Sequence, residues 1–304
     1  MDENDAPHSE PLIPSQIVGF TAILCAAVLV AIAVLGPIGL GAMEYKTSQS
    51  NVWQVAGQDI ANLGLMAPLL LIGGALCMAG RPGAKYFLIL TPITLMYTGL
   101  SIGIGQEWSN PAYAGNAENY WYLFLALIIG GLVLLLGVLP MFSEDDAPTF
   151  KPRNLRVYVG VMTAFLLLFA AMWTSQILQV TSTGGLPDGS YEAAPTVFWT
   201  IRYLDLGVSI PVGLLALFLM QSKPRRAYSL LLLFFGFGIT LGTAVNAMAV
   251  IQVMKGDPSV AGGGLIIFPV LAALFYGGLI YLVKDKIRGA FRDGLSHATD
   301  EAPA

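Results

Sequence analysis

Residues 198–211, FWTIRYLDLGVSIP, set an arginine and an aspartate, Arg202 and Asp205, three positions apart at the head of a long apolar run. Each charge held in hydrocarbon costs roughly 2.5–3.5 kcal/mol on insertion scales, so such a pair needs a reason. The stretch GQDIANLGLMAP at 57–68 has the same skeleton, Leu-Gly-x3-Pro. In that register Asp59 stands where Arg202 does, and Asn62 where Asp205 does. A proline removes one backbone donor and clashes with the carbonyl four residues earlier, which here belongs to Gly64 (for Pro68) and Gly207 (for Pro211). Both helices are therefore expected to kink at matching depth.

Outward from these stretches the chain is greasy. It is 56% hydrophobic and 11% charged, with a mean hydropathy of +0.70. Soluble domains carry about 25% charged residues. Apolar runs long enough to cross hydrocarbon cover about 17–40, 57–79, 84–104, 119–142, 156–180, 197–220, 227–252 and 264–284. Strand-like alternation is absent, which argues against a barrel. The expected fold is an all-α integral membrane protein with eight transmembrane helices.

Further matches extend the repeat. VGFTA (18–22) aligns with VGVMTA (159–164), RPGAKYFLIL (81–90) with KPRRAYSLLL (223–232), and ALIIGGLVLL (126–135) with ALFYGGLIYL (273–282). They keep one order and a nearly constant offset, as two tandem four-helix repeats would. Four spans per repeat is an even number, so both copies run in the same direction and a pseudo-twofold axis lies along the membrane normal. The expected organisation is a tail (1–16), a first repeat (17–142), a linker (143–155), a second repeat (156–284) and a second tail (285–304).

Basic residues orient the bundle. Arg81, Lys85, Lys151, Arg153, Arg156, Lys223, Arg225, Arg226, Lys284, Lys286, Arg288 and Arg292, twelve of the fifteen, fall on one side of an alternating topology. Lys46 and Lys255 fall on the other. By the positive-inside rule both termini are cytoplasmic, in a bacterial-type inner membrane. The tail before the first span lacks a basic n-region, so that span is expected to stay as a signal-anchor. The net charge of −4 reflects acidic tails and loops, and the carboxylates of SEDD (143–146) read as solvated.

Several classes of chemistry are disfavoured. The two histidines, His8 and His297, lie in the tails, which leaves no intramembrane histidine for haem, copper or non-haem iron. Cys25 and Cys77 sit within spans and read as small packing residues. Phosphate-loop, dinucleotide, zinc-protease and nucleophile-elbow signatures are missing. Neither a cofactor, a metal nor catalysis is expected. The scattered basic residues fit no nucleic-acid surface. Aromatics of the outer loops (Trp53, Trp108, Tyr113, Tyr120, Trp121 and Tyr122) read as an interfacial belt. At the C-terminus Ile287, Ala290, Phe291 and Leu295 recur at helical spacing among cations, either as a solvated helix end or as a stripe on an anionic leaflet.

Polar residues gather in the outer halves of the spans. The candidate site comprises Asp205, Arg202, Asp59, Asn62, Gln176 and Asn246, with Gly64, Pro68, Gly207 and Pro211 as hinges. Arg202 and Asp205 share one helix face, and Asp59 is placed to pair with Arg202 between the halves. Two functions follow from this placement. In one, the chain is a small-solute or ion permease with an outward-facing polar site between the repeats and Asp205 as proton or cation acceptor. In the other, it is a non-transporting subunit, scaffold or sensor in which Arg202, Asp205 and Asp59 form a structural clasp. Partners on these readings are the lipid bilayer, a small polar solute or ion, and another membrane protein. YLDLGVSIP followed by KPRRAY resembles a pattern in uncharacterised multipass bacterial proteins, carried here by Asp205, Gly207 and Pro211. That resemblance implies no activity, and the first half departs from it at Asn62.

Overall fold

The computed structural model describes residues 12–257 and 264–300. Eight helices are long and apolar enough to cross a membrane: α1 (Ser15–Leu35), α2 (Gln49–Met78), α3 (Ala84–Ile104), α4 (Ala117–Met141), α5 (Arg153–Thr183), α6 (Pro195–Ser222), α7 (Tyr228–Met254) and α8 (Gly264–Asp300), whose apolar part is Ile266–Lys284. They coincide with the eight runs read from the sequence. No strand occurs among the described residues. The chain is a polytopic helical membrane protein.

Within the first four helices, α1 packs on α2 and α4, and α3 packs on both α2 and α4. In the last four, α6 packs on α5 and α7, and α7 on α8. The two groups meet through α2 against α7, α3 against α6, and α3 against α7. α7 is the most buried helix, while α5 and α8 lie at the periphery. Small residues bring the groups together, as is usual where no hydrophobic drive operates between helices in lipid. A Cβ on Gly57 would strike the backbone of Ala247 and Met248, and one on Gly236 would strike that of Leu90. At the centre of the seam the Thr94 and Thr240 hydroxyls bond to each other at 2.5 Å.

The expected proline kinks take a specific form. Both α2 and α6 contain one π-helical turn, at Asn62–Met66 and at Asp205–Ser209. The Ala67 N–H reaches back five residues to the Asn62 carbonyl, and the Ile210 N–H to the Asp205 carbonyl. Proline cannot close the ordinary four-residue bond, and widening the turn by one residue keeps the preceding amides bonded. Gly64 and Gly207 lie on the exposed side of these turns, and a Cβ on either would meet nothing within 4 Å. In α3 the same problem is solved otherwise. Pro92 leaves the Leu88 carbonyl without its helical donor, and the Thr91 hydroxyl takes it at 2.9 Å.

Each face of the bundle is stitched. On one, Lys46 pairs with Glu118 at 2.6 Å, and Gln252 bonds both Ser50 and Asp257 at 3.0 Å. On the other, the linker between α4 and α5 folds into a short 3-10 turn, Glu144–Asp146. Asp145 and Glu144 stay exposed, as the reading of SEDD as solvated expects, but Asp146 corrects that reading. Asp146 is buried and accepts from Lys85 at 2.6 Å, from the Tyr86 hydroxyl at 3.0 Å and from the Ser143 amide at 2.8 Å. Arg225 pairs with Asp145 and Arg226 with Glu144. The basic residues of this face therefore also lock the linker onto the loops beneath it.

Burial pushes the Asp146 carboxyl up, but the bonds from Lys85, Ser143 and Tyr86 outweigh it and hold the group below its ordinary value. A depressed carboxyl contributes stability above the unfolded value of about 3.9, and loses it as pH falls through the folded value. Asp146→Asn should cost about 2 kcal/mol near neutrality. Thermal unfolding in detergent should show the gap between variant and wild type closing below about pH 4.

Candidate functional site

The polar residues of α2, α3, α5 and α6 toward the face that carries Lys46 form two groups of opposite character. The first is centred on Asp205, the opening residue of the π-turn in α6. Its carboxylate is 3% exposed and accepts from two neutral donors on different helices, the Tyr97 hydroxyl of α3 at 3.0 Å and the Trp173 indole of α5 at 2.8 Å. Both oxygens are thus engaged, and three helices are pinned to one point.

Arg202 leans back toward the start of α6, as helix geometry requires, and is half-buried. Its guanidinium lies 3.8 Å from the Phe198 ring centre and 4.2 Å from that of Trp173. One nitrogen bonds the Gln176 side-chain oxygen at 2.5 Å, and another the Phe198 carbonyl at 3.4 Å. No ion pair joins Arg202 to Asp205 or to Asp59 among the described residues. The expected cross-half pair Asp59–Arg202 is therefore replaced by an aromatic sandwich that holds the cation by its ring faces. Trp173 serves both charges, donating its N–H to Asp205 and its face to Arg202.

The second group surrounds Asp59, two-thirds of the way along the first part of α2. Asp59 has no exposed surface, and neither carboxylate oxygen has a hydrogen-bond partner. One turn on, Asn62 is 1% exposed and accepts from Gln58 at 3.0 Å, while its own amide nitrogen is unpartnered. The Tyr45 hydroxyl, from the loop after α1, is also buried and unpartnered. Burial, and then the nearby Asp59 carboxylate, hold that hydroxyl well above its ordinary range, so it stays neutral. The Asp59 carboxylate and the Tyr45 hydroxyl both lie beside Gly36, the C-cap of α1. A Cβ there would sit 3.1 Å from Asp59 Oδ2 and 3.7 Å from the Tyr45 oxygen.

Asn246 joins neither group. Its side chain bonds back within its own helix, donating to the Gly242 carbonyl at 2.7 Å. Gln176 is brought to Arg202, and Asn62 to Asp59 only through the helix they share. His8 and the side chains of His297, Ile287, Ala290, Phe291 and Leu295 lie outside the described residues. Among the described residues no three acidic, histidine or cysteine side chains converge on one point, and both cysteines are free and buried.

Two contributors were not evident in the sequence. Tyr45 lies in a short loop with nothing to mark it, although the adjacent Gly36-Pro37 signals a helix end. Glu107 reads as a loop carboxylate just beyond α3. In the structure it is 4% exposed and caps the start of α6, accepting from the Thr196 amide at 2.8 Å and its hydroxyl at 2.9 Å. A carboxylate at a helix N-terminus is stabilised by the exposed amides and the dipole. The bundle also holds an apolar cavity of about 370 Å³ among α5, α6, α7 and α8, near Tyr158, Leu217 and Gly278, apart from both polar groups.

Because Asp205 is saturated, removing either donor should leave one buried acceptor bare. Tyr97→Phe and Trp173→Phe should each destabilise the folded chain by about 1–3 kcal/mol, measured by denaturation in detergent. Trp173→Phe should cost more than Tyr97→Phe, since it also weakens the aromatic seat of Arg202.

Compared with protein-family models, with curated proteins and with solved structures, the chain matches none of them significantly.

Proposed function

We propose that the chain is a small-solute or ion permease of the bacterial inner-membrane type. On this reading it is built from two tandem four-helix repeats with both termini cytoplasmic, and is neither an enzyme nor a nucleic-acid binder. One observation carries the reading. Asp59 is fully enclosed in a membrane helix with both oxygens unpartnered, beside two further unpartnered polar groups. An intramembrane carboxylate without a partner is costly, and retaining one points to a translocated species that satisfies it during the cycle. The acceptor role falls to Asp59 and not to Asp205, whose needs Tyr97 and Trp173 already meet.

The duplication is supported by the two π-turns at matching places and by the pairing of α2 with α7 and α3 with α6, which exchange under a twofold. The orientation rests on the basic residues of the linker face. It puts Tyr45 and Asp59 in the outward half. The π-turns are the places where α2 and α6 would bend, since a widened turn has a neighbouring low-energy arrangement.

A second reading, a non-transporting subunit held by a clasp, is favoured by Asp205 alone, which is dry and fully bonded across both halves. Flux separates the two. Proteoliposomes under imposed sodium, potassium or proton gradients should pass current or dye-reported ion with the wild-type chain and none with Asp59→Asn. Asp205→Asn should lower stability but retain measurable flux. Wild-type vesicles no more permeable than empty ones, under all three gradients, would leave the subunit reading standing. Orientation has its own check: a cysteine in place of Lys46 should react with an impermeant thiol reagent from outside intact cells, and one in place of Arg225 should not.

A further inference from the structure

Resting on the permease reading of the same site, we propose that Asp59 and Tyr45 at the C-terminal end of α1 form a binding site for a single desolvated alkali cation. Two side chains from two segments contribute, each at least nine-tenths buried, and each with oxygens that no protein group satisfies. Buried polar atoms are nearly always bonded, so a cluster of such orphans marks a place where something else binds.

The electrostatics choose the sign. Asp59 Oδ2 sits against the position of a Gly36 Cβ, at the last turn of α1. A helix C-terminus carries partial negative charge, and a carboxylate is disfavoured beside it. Pro37 sharpens this by withholding the N–H that would have closed on the Ala33 carbonyl. A carboxylate set against a helix C-terminus in a low-dielectric interior stays ionised only when a positive species accompanies it, and otherwise takes up a proton. No lysine or arginine does so among the described residues.

Donor chemistry and charge choose the class. The orphan oxygens are two carboxylate oxygens and one phenol oxygen, all hard ligands suited to alkali and alkaline-earth cations. A proton would satisfy one of these acceptors, whereas a metal cation satisfies several together. One carboxylate supplies one negative charge, and no cluster of three acidic groups exists among the described residues to balance a divalent ion. A monovalent cation leaves the site neutral.

The test uses the purified full chain in detergent, with sodium chloride titrated against choline chloride at constant ionic strength and pH. Sodium should raise the unfolding temperature saturably, by roughly 5 °C at saturation, through preferential binding to the folded state. Isothermal titration of sodium should give a stoichiometry of one. Asp59→Asn should abolish both signals, and Tyr45→Phe should weaken sodium affinity about tenfold, so a poorly folding Asp59 variant still leaves a decisive measurement. Potassium in place of sodium, giving the larger response, supports the class and changes the preferred ion. A wild-type protein insensitive to sodium and potassium relative to choline overturns the proposal. So does stabilisation that follows pH alone, which identifies a proton site. Flux in vesicles without cation binding overturns this inference and spares the permease reading, while binding without flux does the reverse.

Discussion

Pro68 and Pro211 each withhold one amide hydrogen from a helix that crosses hydrocarbon, and much of this bundle follows from how that loss is met. With no water at depth, a freed carbonyl needs a new partner or a new backbone geometry. Here the geometry changes: one π-turn in α2 and one in α6. The first residue of each turn, Asn62 or Asp205, is buried, while Gly64 and Gly207 face outward into open space. The widened turn therefore directs a polar side chain inward and a bare backbone outward. The same irregularity that solves a hydrogen-bonding problem also creates two interior polar positions.

What surrounds those positions differs sharply. Around Asp205, Tyr97 and Trp173 supply two donors from different helices, and the indole of Trp173 also seats Arg202. Two charges are thereby accommodated without touching, each by neutral groups. Such an arrangement avoids the geometric demands of a buried ion pair, whose desolvation often outweighs its attraction. Around Asp59 the neighbouring groups are a phenol, an amide and the negative end of α1, none bonded to the carboxylate. The Asp205 carboxylate has both oxygens bonded, whereas the Asp59 carboxylate has neither; the Arg202 Nε is also left without a partner. This difference carries the functional reading.

The far face has a separate role. Lys85, Tyr86 and Ser143 hold Asp146, while Arg225 and Arg226 hold Asp145 and Glu144. The short chain joining the two groups of four helices is thus fixed to the loops before α3 and α7.

Eight spans, the prolines that interrupt α2 and α6, and the concentration of polar side chains toward one end were all legible in the sequence, though α2 starts eight residues before and α1 ends five residues before the apolar runs do. Each depends on local composition or on spacing along one helix, which the chain order fixes directly. The same holds for Arg202 and Gln176 as members of a polar group, since an uncommon charge in an apolar run declares itself. What only the tertiary structure decided is who meets whom. Asp205 turns to Tyr97 and Trp173 instead of Arg202, Arg202 settles between two rings, and Asp59 faces Tyr45 at the end of α1 with nothing bonded to it. Asp146, one of three adjacent acidic residues, is the one driven inward. These outcomes turn on the rotation and depth of helices far apart in the chain, which set donors within three ångströms of one carboxylate and leave another bare.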